Sequence, residues 1–340
     1  MVAFSIPDAG ALVQPLADRF GLSVLPLHAG TIVKSLAFWV SLQLLSSHLS
    51  PRLFPTIYPQ LKRSTRISWD VHFVALVHAA LITPLCAKVW YDVYSDPTHP
   101  MAQRRIYGYT YEAGTVYAIA IGYFIWDSVV SILYDGPAFV AHGLVALSAF
   151  VLAYRPIFIY DGLGFLLWEL STPFLNIHWF LDKCGKTGSR AQLINAVFLL
   201  STYVLARLTF GVYNSYSWFM EVNFPAVPHV PAIPMSYRVY YTVGNITLNT
   251  LNFVWFRAMI RAVQKRFTTK PDDSSKKIDP KAVAQGKQGV KLGVQGSSDE
   301  PFEKEAGVGR PGREAFERAD VGSYGGDREA RWRKAAKSKS

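Results

Sequence analysis

Apolar residues in this chain come in long runs separated by short polar breaks. The runs cover 30–48, 70–90, 113–133, 137–155, 157–180, 191–212 and 239–262. A helix that crosses a bilayer needs ~20 mostly apolar residues. Each run therefore predicts a membrane-crossing helix, and seven of them exclude an ordinary soluble helical core. The expected fold is all-α: a polytopic membrane bundle of about seven transmembrane helices. Two runs are interrupted, one by Pro173 and the other by Asn245, Asn249 and Asn252. Runs three and four join through Tyr134-Asp-Gly-Pro137, a tight hairpin. Before the first run, Leu12–Phe20 reads as a short interfacial helix.

Charge divides the chain. The 340 residues carry a net charge of +11 and are 50% hydrophobic. Residues 265–340 hold 18 of the 35 Lys and Arg and 12 of the 24 Asp and Glu. The first part is thus poor in charge and rich in aromatics, a membrane composition and not that of a nucleic-acid binder. Residues 263–340, rich in Gly, Ser, Lys and Glu, read as a basic disordered tail. Its end, Arg328 to Ser340, is basic enough to be drawn to an anionic lipid surface. Arg331-Trp-Arg333 within it resembles an arginine-based retention signal of the endoplasmic reticulum.

Basic residues in short loops predict orientation. Arg52, Lys62, Arg63 and Arg66 lie in one loop, and Lys183, Lys186 and Arg190 in another. Lys265 and Arg266 open the tail. Seven spans place all three on one side, the cytosol, with residues 1–29 lumenal. A first helix and loop then occupy 30–59, and the main membrane domain 60–262. Asn245-Ile-Thr matches a glycosylation sequon but lies inside a span. Cys86 and Cys184, the two cysteines, build neither a disulfide framework nor a zinc site.

Ionisable side chains at bilayer depth are costly and face a bundle interior or a cavity. They are His72, His78, Asp127, His142, Asp161, Glu169 and Arg207. Tyr123 and Asp127 share a helix face at i,i+4, as do Tyr203 and Arg207. Asp127 and His142 lie about equally far from the 134–137 turn and so at similar depth. Asp70, at a span end, is expected to reach the headgroups. Glu169 has three readings: a buried partner for Arg207, a wall of a lipid-headgroup pocket, or a catalytic group. The candidate pocket comprises His78, Tyr123, Asp127, His142, Asp161, Glu169, Asn176 and Arg207. No His and carboxylate spacing points to a metal, and no glycine-rich phosphate loop or nucleophile elbow is present.

These residues resemble those of the TLC-domain family, which includes the ceramide synthases. Trp69 and His78 match its second-helix pattern, with His72 and Ala75 in place of the family's Arg and Ser. Gly122, Tyr123 and Asp127 match the next block. His142 matches one member of a His pair, with Ala141 beside it. Trp168-Glu-Leu-Ser-Thr-Pro173 is close to a block of the non-synthase branch. In the synthases the His pair and downstream acidic residues are implicated in acyl transfer. One His and that acidic run are missing here. The resemblance therefore implies lipid sensing, lipid binding and membrane lipid homeostasis in the endoplasmic reticulum without catalysis. Its partners would be phospholipid or sphingolipid, with no cofactor. The alternative is an acyl-coenzyme A-dependent N-acyltransferase, with His142 as base and Asp127 orienting it.

Overall fold

The computed structural model describes residues 9–226 and 228–268. Among them the elements are helical and no strand occurs. They are α1 (Ala9–Phe20), α2 (Leu25–Leu53), α3 (Arg63–Ser95), α4 (Pro100–Gln103), α5 (Tyr111–Tyr134), α6 (Pro137–Leu152), α7 (Ile159–Leu166), α8 (Thr172–Lys183), α9 (Arg190–Tyr203), α10 (Gly211–Asn223) and α11 (Met235–Thr268). A 3-10 segment, Leu167–Ser171, joins α7 to α8, and a π-helical segment, Val204–Phe210, joins α9 to α10. Residues up to Tyr134 together with Phe139–Asn252 form one compact unit, which holds everything described below. The expected tail and its attraction to anionic lipid lie outside the described residues from 269 on. Residues 263–268 are the end of α11.

Among the described residues four stretches are long and apolar enough to cross a membrane: Leu25–Leu53, Arg63–Ser95, Tyr111–Tyr134 and Arg190–Asn223. Helix α6 is apolar but shorter. The seven-span count is therefore not reproduced by length and composition. The fifth run is divided into α7, the 3-10 segment and α8, and α11 has 34 residues with an asparagine-diluted apolar run. Helix α1 forms where an interfacial helix was expected, with Leu12, Leu16 and Phe20 exposed.

The core forms where α2, α3 and α5 meet. Gly122 makes the α2–α5 approach close, because a Cβ there would come within 2.5 Å of Ser35. Ser35 Oγ donates to the Ile119 carbonyl and accepts from Trp39 Nε1, so the narrow seam is also hydrogen-bonded. Trp39, Ile82 and Tyr117 are fully enclosed around it. At the end that carries the two basic loops, α3 meets α8 through Trp69, Trp179 and Phe180. The structure thus brings both loops to one end of the unit. Asp70 differs from expectation. It is buried, and its carboxylate accepts from Ser46 Oγ at 2.7 Å and from the Tyr58 hydroxyl at 3.0 Å. Burial and the facing Asp70 charge push the Tyr58 phenol above its ordinary pKa.

Candidate functional site

The site starts from Pro173. Proline has no N–H, so it cannot donate to the carbonyl of Glu169 four residues earlier. Thr172 N–H takes that carbonyl instead, which tightens 167–171 into a 3-10 turn. Thr172 N–H is then not spent on the Trp168 carbonyl, and that oxygen accepts from Arg207 Nε at 3.1 Å. Arg207 reaches it from the π-helical segment, the wider coil on which functional residues often sit. Its remaining bonds go to neutral oxygens: Ser171 Oγ at 3.0 Å, Asn252 Oδ1 at 3.2 Å and Thr172 Oγ1 at 3.2 Å. The Tyr203 ring lies 5.3 Å from the guanidinium, and its hydroxyl donates to the Asn252 carbonyl at 2.9 Å. A buried cation is thereby held by backbone, hydroxyl, amide and aromatic groups.

The other expected residues gather around this cation. Its charge acts on Tyr123, His142 and Glu169, and the Asp127 charge acts on Tyr123. Helix α6 comes close to α5 here because residue 143 is glycine. A Cβ would stand 3.3 Å from Asp127 Oδ2 and 3.1 Å from Ser128 Oγ. His78 stacks flat on Tyr123, with centroids 3.6 Å apart, and meets Trp39 edge-on. Both its ring nitrogens are buried without a hydrogen-bond partner.

The expected buried partnership of Glu169 and Arg207 takes a different form. No direct ion pair joins them, since the four hydrogen bonds of Arg207 end on other groups. The Thr172 hydroxyl accepts from Arg207 and also acts on the Glu169 carboxylate. The 3-10 turn explains this, because it presents the carbonyl of 168 and the side chains of 171 and 172 to the guanidinium.

Two of the eight expected residues belong to separate centres. Asn176 Oδ1 accepts from His72 Nδ1–H at 2.6 Å, and its amide nitrogen donates to the Thr172 carbonyl. His72 also stacks on Trp179, 4.2 Å away. Asp161 pairs with Arg105, Oδ1 accepting from Nη2 at 2.5 Å and from Nε at 3.1 Å. Burial works against the Arg105 charge, but the Asp161 carboxylate more than offsets it and holds the guanidinium above its ordinary pKa. Among the described residues no group of three or more His, Cys, Asp or Glu could hold a metal.

Sequence reasoning missed Trp168, Ser171, Thr172 and Asn252 as partners of Arg207. One signal was available. Asn245, Asn249 and Asn252 recur at i, i+4 and i+7, which is one face of a helix. Asn249 Nδ2 donates to Ser215 Oγ on α10, and Asn252 serves Arg207, so the asparagines that dilute the last apolar run line its inner face. Also missed was His28, fully buried, whose Nε2 lies 2.8 Å from the Tyr109 hydroxyl and whose ring stacks on Tyr154.

A family model described as TLC domain matches residues 68–261. An uncharacterized TLC domain-containing protein of Schizosaccharomyces pombe is 37% identical over 257 residues, covering 75% of this chain and 85% of the relative. Topoisomerase I damage affected protein 4 of Saccharomyces cerevisiae is 27% identical over 272 residues, 73% of this chain and 88% of that one. TLC domain-containing protein 4-A of Xenopus laevis is 28% identical over 247 residues, 69% and 91% of the respective chains. The matched residues include the whole Arg207 centre.

Proposed function

The chain belongs to the TLC-domain family, and from that premise we propose that it binds membrane lipid inside its helical bundle and thereby acts in membrane lipid homeostasis, without transferring acyl chains. One observation carries the reading. Trp168 gives its carbonyl to the Arg207 centre and also lines an apolar cleft. A lipid needs such a junction, with polar groups for its head and apolar walls for its chain. The centre supplies charges of both signs and neutral hydroxyls, which suit a phospholipid or sphingolipid head. The basic loops favour a cytosolic position for the end that carries Trp69 and Trp179, and the endoplasmic reticulum is the membrane we assign.

The test is lipid mass spectrometry on the purified protein. Phospholipid or sphingolipid should be retained by the native chain and largely lost from Arg207→Met. An equal lipid complement in both would sink the reading.

A second reading is supported by the closeness of Asp127 to Gly143, beside His142. His142 would then accept a proton from the amine of a sphingoid base as its nitrogen attacks the thioester carbon of acyl-coenzyme A, forming the C–N bond and releasing the thiol. Turnover that disappears in His142→Ala would establish that reading against the first.

A further inference from the structure

The cleft beside Trp168 has a chemistry of its own. It spans about 620 Å³ with the open space at its mouth included. Ala146 and Ala149 of α6 and Ala153 just after it make a smooth floor, and aromatic rings such as Phe158 and Tyr241 make walls. The polar groups along it are nearly all engaged. The Tyr241 hydroxyl donates to the Ala149 carbonyl and that of Tyr117 to the Phe158 and Ile159 carbonyls. The Tyr240 hydroxyl meets Ser148, and Asn245 Oδ1 accepts from Asn249.

Besides Trp168 Nε1, a buried donor without a partner, the exception is Asp161. It is 1% exposed and lines the cleft. Both bonds from Arg105 end on Oδ1, while Oδ2 is buried without a hydrogen-bond partner. A buried acceptor lacking a donor is costly, so the site favours a ligand that supplies one. Arg105 already matches the carboxylate charge, so an ammonium is not required, and an anion would be repelled.

Building on the reading that the bundle interior holds lipid, we propose that this cleft binds an uncharged lipid with a free hydroxyl, its apolar body on the alanine floor and its hydroxyl donating to Asp161 Oδ2. A sterol and a long-chain alcohol share this chemistry.

The full-length protein, purified in detergent, is incubated with oleyl alcohol, oleyl methyl ether, oleylamine, cholesterol or cholesteryl methyl ether, and retention is read by native mass spectrometry. The alcohol of at least one pair should be held about tenfold or more better than its methyl ether, the scale of one hydrogen bond to a charged acceptor. Oleylamine should gain nothing over oleyl alcohol. Which pair shows the preference tells a sterol from a chain alcohol. Ala149→Phe should fill the cleft and abolish retention of the alcohol while co-purifying phospholipid stays. Should that variant fail to fold, the alcohol and ether comparison on the native chain decides alone. Equal retention of alcohol and ether in both pairs, or tighter binding of the amine, would overturn the proposal. Co-purifying phospholipid alongside that result would leave the broader lipid reading standing, whereas a chain that retains no lipid of any kind would end both.

Discussion

Arg207 and Asp161 are both buried charges in one helical unit, and they are satisfied by opposite means. Asp161 is met by a formal countercharge, Arg105, from a segment 56 residues earlier. Arg207 is met by neutral oxygens, two of them from the 3-10 turn and a third from Thr172 just after it. The first solution concentrates the interaction in one pair, so that losing one partner strands the other. The second divides it among many weak acceptors, each replaceable at modest cost. It also leaves the Glu169 carboxylate within electrostatic reach of the cation without a direct ion pair. The neutral cradle leaves the Arg207 charge unmatched by a direct ion pair, whereas Arg105 holds Asp161 through Oδ1 and leaves Oδ2 without a donor.

The sharpest way to break this comparison is Arg105→Met. It leaves a carboxylate that is 1% exposed without its countercharge and should cost about 3–5 kcal/mol, the range for breaking a buried pair. Asp161→Asn should cost clearly less, because the Arg105 side chain is 32% exposed and can turn to water. Thermal unfolding of both variants in detergent checks the order, and equal losses would show that Arg105 is as enclosed as its partner.

Arg207→Met comes next. Every hydrogen bond it loses ends on a neutral acceptor, so it should cost about 2–3 kcal/mol, below Arg105→Met, while removing most bound lipid. A loss as large as that of Arg105→Met would mean that the neutral cradle is no more forgiving than an ion pair.

Pro173→Ala tests the origin of the cradle. An N–H at 173 can take the Glu169 carbonyl, which frees Thr172 N–H for the Trp168 carbonyl in competition with Arg207. Stability should change by about 1 kcal/mol or less, since better helix geometry offsets the weakened bond. Lipid retention should fall all the same. Unchanged retention would detach Pro173 from the site.

The smallest effect is expected for the pair Glu169→Gln and Arg207→Met. With Thr172 acting on both groups, a double-mutant cycle should give a coupling of about 0.5–1 kcal/mol, well under that of a closed buried pair. The cycle for Arg105→Met and Asp161→Asn should give several times as much. Similar values would erase the distinction between the two centres.

Several parts of this molecule could be read without coordinates because they depend on local composition. Long apolar runs mark the helices, Pro173 marks a break, and the spacing of Tyr123 to Asp127 places both on one face. The blocks around Trp69, Tyr123, His142 and Glu169 carried the family, and the matched residues 68–261 agree with it. The site was legible as a set of inward polar residues, of which Tyr123, Asp127, His142, Glu169 and Arg207 share one electrostatic centre with His78 stacked against it.

What the sequence by itself determined is therefore which segments are helical and apolar and which polar groups had to face inward, since burial cost and helical period are properties of neighbouring residues. Partner choice was decided only in the tertiary structure. Arg207 takes Trp168 and Asn252 over Glu169, Asp161 takes Arg105, and Asp70 turns to Ser46 and Tyr58 instead of the headgroups. A backbone carbonyl becomes an available acceptor only when its local turn tightens, and a loop arginine becomes a countercharge only when the fold carries it across 56 residues to its carboxylate. Neither event leaves a mark in residue type, because every carbonyl looks alike in a sequence and distance along the chain says little about distance in space.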